Sequence, residues 1–197
     1  MKKLKKAVCY TGDRIKGSRF IANLIPITER SDVVNHLALL REEHSKATHI
    51  CFAWRIVDGS FSCSDDGEPK GSAGLPILRH LEGFNLIDVL AVVVRYYGGT
   101  KLGIGGLIRA YGGAVSEALR LAEIEEFVER KKIKIEVDYA NYRWAKSVCQ
   151  QYEIQISNID FGEKVLVDGL IPLKRKAGFL RFFEISGEYR FISCLIE

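Results

Sequence analysis

Hydrophobic positions along the first two-thirds of the chain form two kinds of pattern, short apolar runs and helical spacing. Three mostly apolar segments rich in β-branched and aromatic residues predict strands, at 18–27, 48–56 and 86–97. Helical spacing of apolar residues predicts three helices, at 31–45, at 73–83 and from about Gly106 onward. The apolar residues of 86–97 are continuous rather than alternating, so we expect this strand to be covered on both faces.

Beyond a charged stretch at 122–132 the pattern changes. "KKIKIEVDY" alternates strictly between polar and apolar residues, as a half-exposed strand does. A helical segment follows, then two strands joined by a turn at Gly162–Glu163, a second helix, and a last strand at 189–196. The order β-α-β-β-α-β is that of a ferredoxin-like domain. The sequence therefore predicts an α+β chain with two domains, at 1–128 and 129–197.

Composition places the chain among soluble globular proteins, since 47% of its 197 residues are hydrophobic and 27% are charged. No apolar run is long enough to span a bilayer, and the basic start lacks the apolar region of a secretory signal. Five cysteines without a CxxC pair indicate reduced thiols, and we expect a cytoplasmic protein. The net charge of +4 is shared evenly by the two halves, so a basic surface would need local clustering.

The segment "SDDGEPKGSAGLPIL" at 64–78 crowds three carboxylates around one glycine. It fits a tight turn in which Ser72 caps the following helix. It also fits a ligand site, with a divalent cation on the carboxylates and an anion on free N–H groups near 71–73. The spacing is not that of a calcium loop, so the turn is favoured and we predict neither a metal nor a cofactor. The candidate residues of this acidic loop are Asp65, Asp66, Glu68, Lys70 and Ser72.

The segment "RYYGGTKLGIGGLIRAYGG" at 95–113 combines a strand end, a glycine-rich loop and a helix start. It lacks the spacing of a P-loop, but such an arrangement directs backbone N–H groups at a helix N-terminus, where anions are favoured. Its basic residues either contact phosphate or are solvated. Its tyrosines either stack on bases or pack in the core, and we expect at least one of Tyr96 and Tyr97 to be buried. Gly112 and Gly113 are expected to permit close helix packing. The candidates for nucleic-acid or anion binding are Arg95, Tyr96, Gly98, Gly99, Lys101, Gly103, Gly105, Gly106 and Arg109.

Motifs of the common hydrolases and metalloenzymes are absent from the sequence. It contains no HExxH, no GxSxG and no spaced Cys/His set, and a Cys63–His49 pair would lack a third member. We therefore identify no catalytic residue.

Four segments resemble the IMPACT family in its bacterial, YigZ-like form: "KGSRFIA", "ATHICFAWRI", "SDDGEPKGSAGLPIL" and "VVVRYYGGTKLGIGGLIRAYGGAV". They cover the first domain in family order, and the second domain is similar to the small C-terminal domain of bacterial members. The resemblance implies that the first domain is like the second domain of a ribosomal small-subunit protein and like domain IV of elongation factor G. It also implies a ferredoxin-like second domain.

The same resemblance implies a function in translation, because the eukaryotic relatives are known as translational regulators. We expect a non-catalytic RNA- or ribosome-binding protein that regulates translation, with RNA or the ribosome as partner. One alternative is a metal- and phosphate-dependent enzyme or nucleotide sensor that uses the loops at 64–74 and 98–109. Another is a protein-interaction module with a protein partner, anchored by Tyr96 and Tyr111. The oligomeric state is left open.

Overall fold

A computed structural model describes residues 1–186 and 191–196. The chain divides into two compact units, Met1–Phe127 and Val128–Glu197. Each unit has its own hydrophobic core and its own main sheet. The mixed α+β class predicted from the sequence is confirmed.

The N-terminal unit is built on a five-stranded antiparallel sheet of order β2-β3-β6-β4-β5, beside a two-stranded pair of β1 and β7. Its strands are β1 (Lys2–Leu4), β2 (Val8–Thr11), β3 (Arg19–Pro26), β4 (His49–Arg55), β5 (Phe61–Ser64), β6 (Val89–Tyr96) and β7 (Ile124–Glu126). Its helices are α1 (Arg30–Glu43), α2 (Gly74–Gly83) and α3 (Ile104–Leu121).

Strand β6 lies at the centre of this sheet and is covered on both faces, as its continuous apolar sequence predicts. Val92 and Val94 point into a core formed with α1, whereas Ala91 and Val93 point into a larger core formed with α2 and α3. Residues of β6 therefore alternate between two cores, and Arg95 follows Val93 on the α2–α3 face. Because of this alternation, the side chain of Arg95 at the end of β6 lies on the face that α2 and α3 cover.

Four short strands were not predicted by the sequence pattern. Strands β1, β2, β5 and β7 have only three or four residues each, too few for a period-two pattern to stand out. Strand β5 lies within a segment whose composition is typical of turns, yet it pairs with β4 from Phe52↔Ser64 to Arg55↔Phe61. Helix α3 begins at Ile104, two residues before the predicted start.

The C-terminal unit has the predicted β-α-β-β-α-β order. Its elements are β8 (Arg130–Val137), α4 (Tyr142–Gln151), β9 (Gln155–Phe161), β10 (Val165–Pro172), α5 (Leu173–Ser186) and β11 (Phe191–Ile196). The strands form an antiparallel sheet of order β11-β8-β10-β9, which is the ferredoxin-like arrangement and confirms that prediction. Alternate residues of β8 pack against α4 and α5, while Lys132 and Lys134 are exposed. Residues 187–190, which include the ends of the last predicted helix and strand, lie outside the described residues.

Candidate functional site

Asp65 holds the loop between β5 and α2 against the start of that helix. Its carboxylate accepts hydrogen bonds from the backbone N–H groups of Gly71 at 2.7 Å, Ala73 at 2.9 Å and Gly74 at 2.8 Å. Burial alone would raise the pKa of Asp65, but the three N–H donors hold it below its usual value. Asp65 therefore caps α2, although it lies eight residues before Ala73 and nine before Gly74 in the sequence.

This arrangement corrects two expectations about the loop. Ser72 is not the cap of α2, because its hydroxyl is fully buried and has no hydrogen-bond partner among the described residues. The N–H groups near 71–73 are not free for an external anion, because the carboxylate of Asp65 already occupies them. An N-cap is normally sought in the residue directly before the helix, and Asp65 is too far from α2 in the sequence to be found in that way.

Asp66 fastens the same loop to the first residues of β4. Its side chain accepts a hydrogen bond from the N–H of Ile50 at 2.7 Å, and its carbonyl lies 2.7 Å from Nδ1 of His49. Its φ of 43° is in the left-handed region, which Asp tolerates better than most residues. Asp66 thus fixes the orientation of the His49 ring.

Glu68 lies at the centre of a buried polar network. Its side chain is only 3% exposed, and Oε1 accepts hydrogen bonds from Nη1 of Arg95 at 2.5 Å and from the hydroxyl of Tyr111 at 2.7 Å. Arg95 is 5% exposed; its Nη2 lies 3.4 Å from Oγ of Ser18, and its Nε has no partner among the described residues. Burial, and then the neighbouring Cys51 and Glu68, raise the pKa of Tyr111. The charge of Arg95 is therefore balanced inside the unit.

The three carboxylates of the loop do not come together as a metal site. Each is engaged by protein donors: Asp65 by three N–H groups, Asp66 by one, and Glu68 by Arg95 and Tyr111. Within the described part of the chain no group of three or more His, Cys, Asp or Glu side chains is arranged to hold a metal ion. The remaining candidate of this loop, Lys70, is exposed.

Gly98 marks the point where the glycine-rich loop crosses the segment before β3. A Cβ at Gly98 would lie 1.9 Å from the carbonyl carbon of Gly17, and its N–H donates to Oγ of Ser18 at 3.1 Å. Gly17 has a φ of 80°, which other residues adopt only with strain. Gly98 is required for close approach of two backbones, and its N–H is not free for a ligand.

The other glycines of the segment differ in their surroundings. Gly99 and Gly103 have φ values of 87° and 71°, and a Cβ at either position would meet no atom within 4 Å, so they turn the chain in open space. Gly112 packs closely on the ring of His80, as expected, because a Cβ there would lie 2.7 Å from Cε1. The same expectation is wrong for Gly113, which is exposed and has no neighbour within 4 Å.

The two tyrosines after Arg95 lie in different environments. The hydroxyl of Tyr96 is 2.9 Å from Nδ1 of His44, on the face of the sheet that α1 covers. Tyr97 is 45% exposed, and its ring lies 5.4 Å from the guanidinium of Arg95. Tyr96 is half-buried and packs against the core beside α1, as expected for one of the two tyrosines, although neither is fully buried. Arg95 and Tyr96 do not share a site, because their side chains lie on opposite faces of the sheet.

The start of α3 borders a cavity of about 490 Å³. Lys101 lines it together with Glu68 and Arg95, whereas Arg109 does not. Arg109 lines two other cavities farther along α3, of about 270 and 300 Å³. Of the remaining glycine candidates, Gly105 lies near the Arg109 guanidinium and Gly106 packs on Leu102. The complete lining of the larger cavity is Thr48, His49, Glu68, Pro69, Arg95, Tyr97, Lys101, Leu102, Gly103, Ile104 and Leu107.

Exposed cations gather around the crossing of Gly17 and Gly98. Arg14 and Arg19 line a cavity of about 340 Å³ with Tyr97, and Lys16 shares the 300 Å³ cavity with Arg109. We call the set the cationic surface, and none of its members forms an ion pair with the described residues. Sequence analysis missed Arg14, Lys16 and Arg19, although their clustering within the six residues "RIKGSR" was a signal. The cationic surface consists of Arg14, Lys16, Arg19, Lys101 and Arg109.

Comparisons with known proteins cover both units. A family model described as the Impact N-terminal domain matches residues 16–119, and one described as a domain of unknown function, DUF1949, matches residues 135–183. An IMPACT family member of Haemophilus influenzae is 42% identical over 163 residues, which is 80% of this chain and 78% of that protein. IMPACT family member YigZ of Escherichia coli is 36% identical over 171 residues, or 85% of this chain and 84% of that protein.

A solved structure described as that of a hypothetical protein is also similar. It is 32% identical, with a TM-score of 0.66, and the match covers 99% of this chain and 95% of the other. In the described part of this chain, no helix combines the length and apolar character needed to cross a membrane. With a domain match over more than half of the residues and relatives that align along most of its length, the chain belongs to the IMPACT family.

Proposed function

We propose that this protein is a non-catalytic, cytoplasmic regulator of translation that binds RNA or the ribosome through the cationic surface of its N-terminal unit. The observation that supports this most directly is the gathering of exposed cations from two distant segments, around Gly17 and around Gly98. The known role of eukaryotic members of the family as translational regulators favours the same function.

The chemistry of the cationic surface is suited to phosphate. Lys101 and Arg109 are exposed, have no carboxylate partner among the described residues and flank the first turns of α3. Cations of this kind neutralise backbone phosphates and release bound counterions, which yields affinity without sequence preference. Tyr97 is exposed and lines the same cavity as Arg14 and Arg19, so it offers a ring on which a base can stack.

The alternative of a metal- and phosphate-dependent enzyme has less support. The oxygen ligands that a cation would need, on Asp65, Asp66 and Glu68, are taken by backbone N–H groups and by buried side chains. Freeing Glu68 for a metal would leave Arg95 buried without its counter-charge, which is costly.

Charge reversal tests the proposal. Lys101→Glu and Arg109→Glu should each weaken binding of several unrelated RNA oligonucleotides by a similar factor, measured by fluorescence anisotropy across a salt series. Each should also lower the slope of log K against log salt by about one unit. Co-sedimentation with ribosomes gives the parallel measurement for that partner.

Arg79→Glu is the matched control, because Arg79 is exposed on α2 of the same unit and lies outside the cationic surface. It should bind RNA and ribosomes as the unmodified protein does. Unchanged binding by both Lys101→Glu and Arg109→Glu would show that the cationic surface is not the binding site.

A further inference from the structure

The cavity of about 490 Å³ beside the end of β6 presents mainly apolar surface. The carboxylate of Glu68 lines it too, but this carboxylate is joined to the guanidinium of Arg95, so the pair adds no net charge to the interior. The cavity therefore suits a flat, neutral group of the size that small-molecule pockets accept. Its apolar wall consists of Pro69, Tyr97, Leu102, Ile104 and Leu107.

Tyr97 connects this apolar cavity to the cationic surface. It lines the apolar cavity and also the cavity of about 340 Å³ that Arg14 and Arg19 border. Lys101, a further member of the cationic surface, lines the apolar cavity. Exposed cations thus border both cavities, and an exposed aromatic residue is common to the two.

The side chain of Tyr97 rests on groups that are themselves fixed. Its backbone N–H donates to Oγ1 of Thr48 at 3.0 Å, and its ring lies 5.4 Å from the guanidinium of Arg95. Arg95 is held in turn by its buried ion pair with Glu68. A ring that is positioned before a ligand arrives loses little conformational entropy when the ligand stacks on it.

An unpaired RNA strand carries the two groups that this arrangement accepts. Its bases can turn outward and stack on aromatic side chains, and each base has a phosphate on either side. In an A-form duplex the base faces are stacked on one another, so a protein reaches mainly phosphates and 2′-hydroxyls. Cations alone favour the duplex, because its charge density is higher than that of a single strand. A positioned ring beside an apolar cavity adds affinity only for the unpaired strand.

We infer that the cationic surface binds single-stranded in preference to double-stranded RNA, with one base stacked on Tyr97 in the apolar cavity. The phosphates on the two sides of that base lie at Lys101 and at Arg14 and Arg19. His49 lines the apolar cavity with its ring oriented by Asp66, and it offers a hydrogen bond to the edge of the base. The inference rests on the proposed function and adds to it the state of the strand and the position of a base.

Fluorescence anisotropy tests the inference with a short unstructured RNA strand and with the duplex that this strand forms with its complement, at one salt concentration. The unmodified protein should bind the single strand about fivefold more tightly than the duplex, or more, because stacking of one base outweighs the charge advantage of the duplex. The decisive variant is Tyr97→Leu, which keeps an apolar side chain against Arg95 but removes the ring. It should weaken binding of the single strand by about fivefold or more and leave binding of the duplex unchanged.

Two further variants control for the loss of the ring. Tyr97→Phe retains the ring and should bind both forms of RNA as the unmodified protein does. Tyr139→Leu is the matched control, because Tyr139 is an exposed tyrosine of the C-terminal unit, and it should leave both affinities unchanged. Far-UV circular dichroism compares the folded state of the variants with that of the unmodified protein.

Photocrosslinking of a single strand that contains 4-thiouridine locates the base independently of affinity. The crosslinked base should be found on the tryptic peptides 96–101 and 102–109, which carry Tyr97 and the part of the apolar wall contributed by α3 and the residues before it. The crosslink should be lost in Tyr97→Leu, because the base is then no longer held in the cavity.

Four results would overturn the inference. These are equal or tighter binding of the duplex by the unmodified protein, unchanged binding of the single strand by Tyr97→Leu, an equal loss of both forms in a folded Tyr97→Leu variant, and crosslinks that fall only outside residues 96–109. The proposed function would stand in each case if Lys101→Glu still weakened binding of both forms. If neither form of RNA is bound, the inference fails, and the proposed function fails with it only when ribosome co-sedimentation is absent as well.

Discussion

Replacing Arg95 by Met should destabilise the N-terminal unit far more than replacing Arg95 and Glu68 together. The two side chains are 5% and 3% exposed and joined at 2.5 Å, so removal of either one leaves a buried charge without its partner. Breaking a buried pair in this way costs about 3–5 kcal/mol. The double change Arg95→Met with Glu68→Leu removes both charges and leaves the hydroxyl of Tyr111 without its acceptor, at about 1–3 kcal/mol.

Urea unfolding followed by far-UV circular dichroism at pH 7 measures the four free energies of this double-mutant cycle. The matched control is the pair Arg120–Glu117, whose side chains are 69% and 41% exposed, and whose coupling should stay below about 1 kcal/mol. If the single changes in Arg95 and Glu68 add up to the cost of the double change, the pair is not a coupled buried unit and the reasoning fails.

Two further predictions concern the loops around the site. Gly98→Ala should destabilise the N-terminal unit by about 3 kcal/mol or more, because its Cβ would overlap the backbone of Gly17; Gly113→Ala, in open space on the same segment, should stabilise it by up to about 1 kcal/mol. Thermal and urea unfolding measure both, and equal effects of the two changes would contradict the close approach. Asp65→Asn should cost about 1 kcal/mol at pH 7, the ordinary loss from a weakened helix cap. Because the folded-state pKa of Asp65 lies below its usual value of about 3.9, its contribution is complete above that pH and is lost as the pH falls through the lower folded value. The stability difference between the two proteins should therefore shrink below about pH 4, and a difference that stays constant down to pH 2 would contradict this assignment.

The central strand shows what hydrophobic pattern alone can predict. The unbroken apolar run before Arg95 indicates a strand buried on both faces, and β6 indeed separates two cores. The alternation in "KKIKIEVDY" indicates a strand with one open face, and Lys132 and Lys134 of β8 are exposed while their neighbours are buried. Such patterns involve neighbouring residues only, so they can be recognised without knowledge of the tertiary structure.

The candidate site was harder to predict because its chemistry depends on contacts that are distant along the chain. The sequence shows Arg95 among free cations, but only the fold reveals that its partner is Glu68, 27 residues away. It shows Asp65 as one carboxylate of three, whereas the fold uses it as a helix cap. The cations at 14–19 join Lys101 and Arg109 only because two glycine backbones cross. No periodicity or motif spacing encodes these relations.

The crossing of Gly17 and Gly98 also has a consequence for folding order. The hydrogen bond from Gly98 to Ser18 joins residues that are 80 apart in the chain, and closing so long a loop has an entropic cost that pairing of β3 with β6 must offset first. The two halves of the cationic surface therefore come together only when β3 pairs with β6. A peptide that carries Arg14 to Arg19 contains only one half of that surface, so an emerging chain acquires the full surface only after Arg109 has been synthesised and the unit has folded.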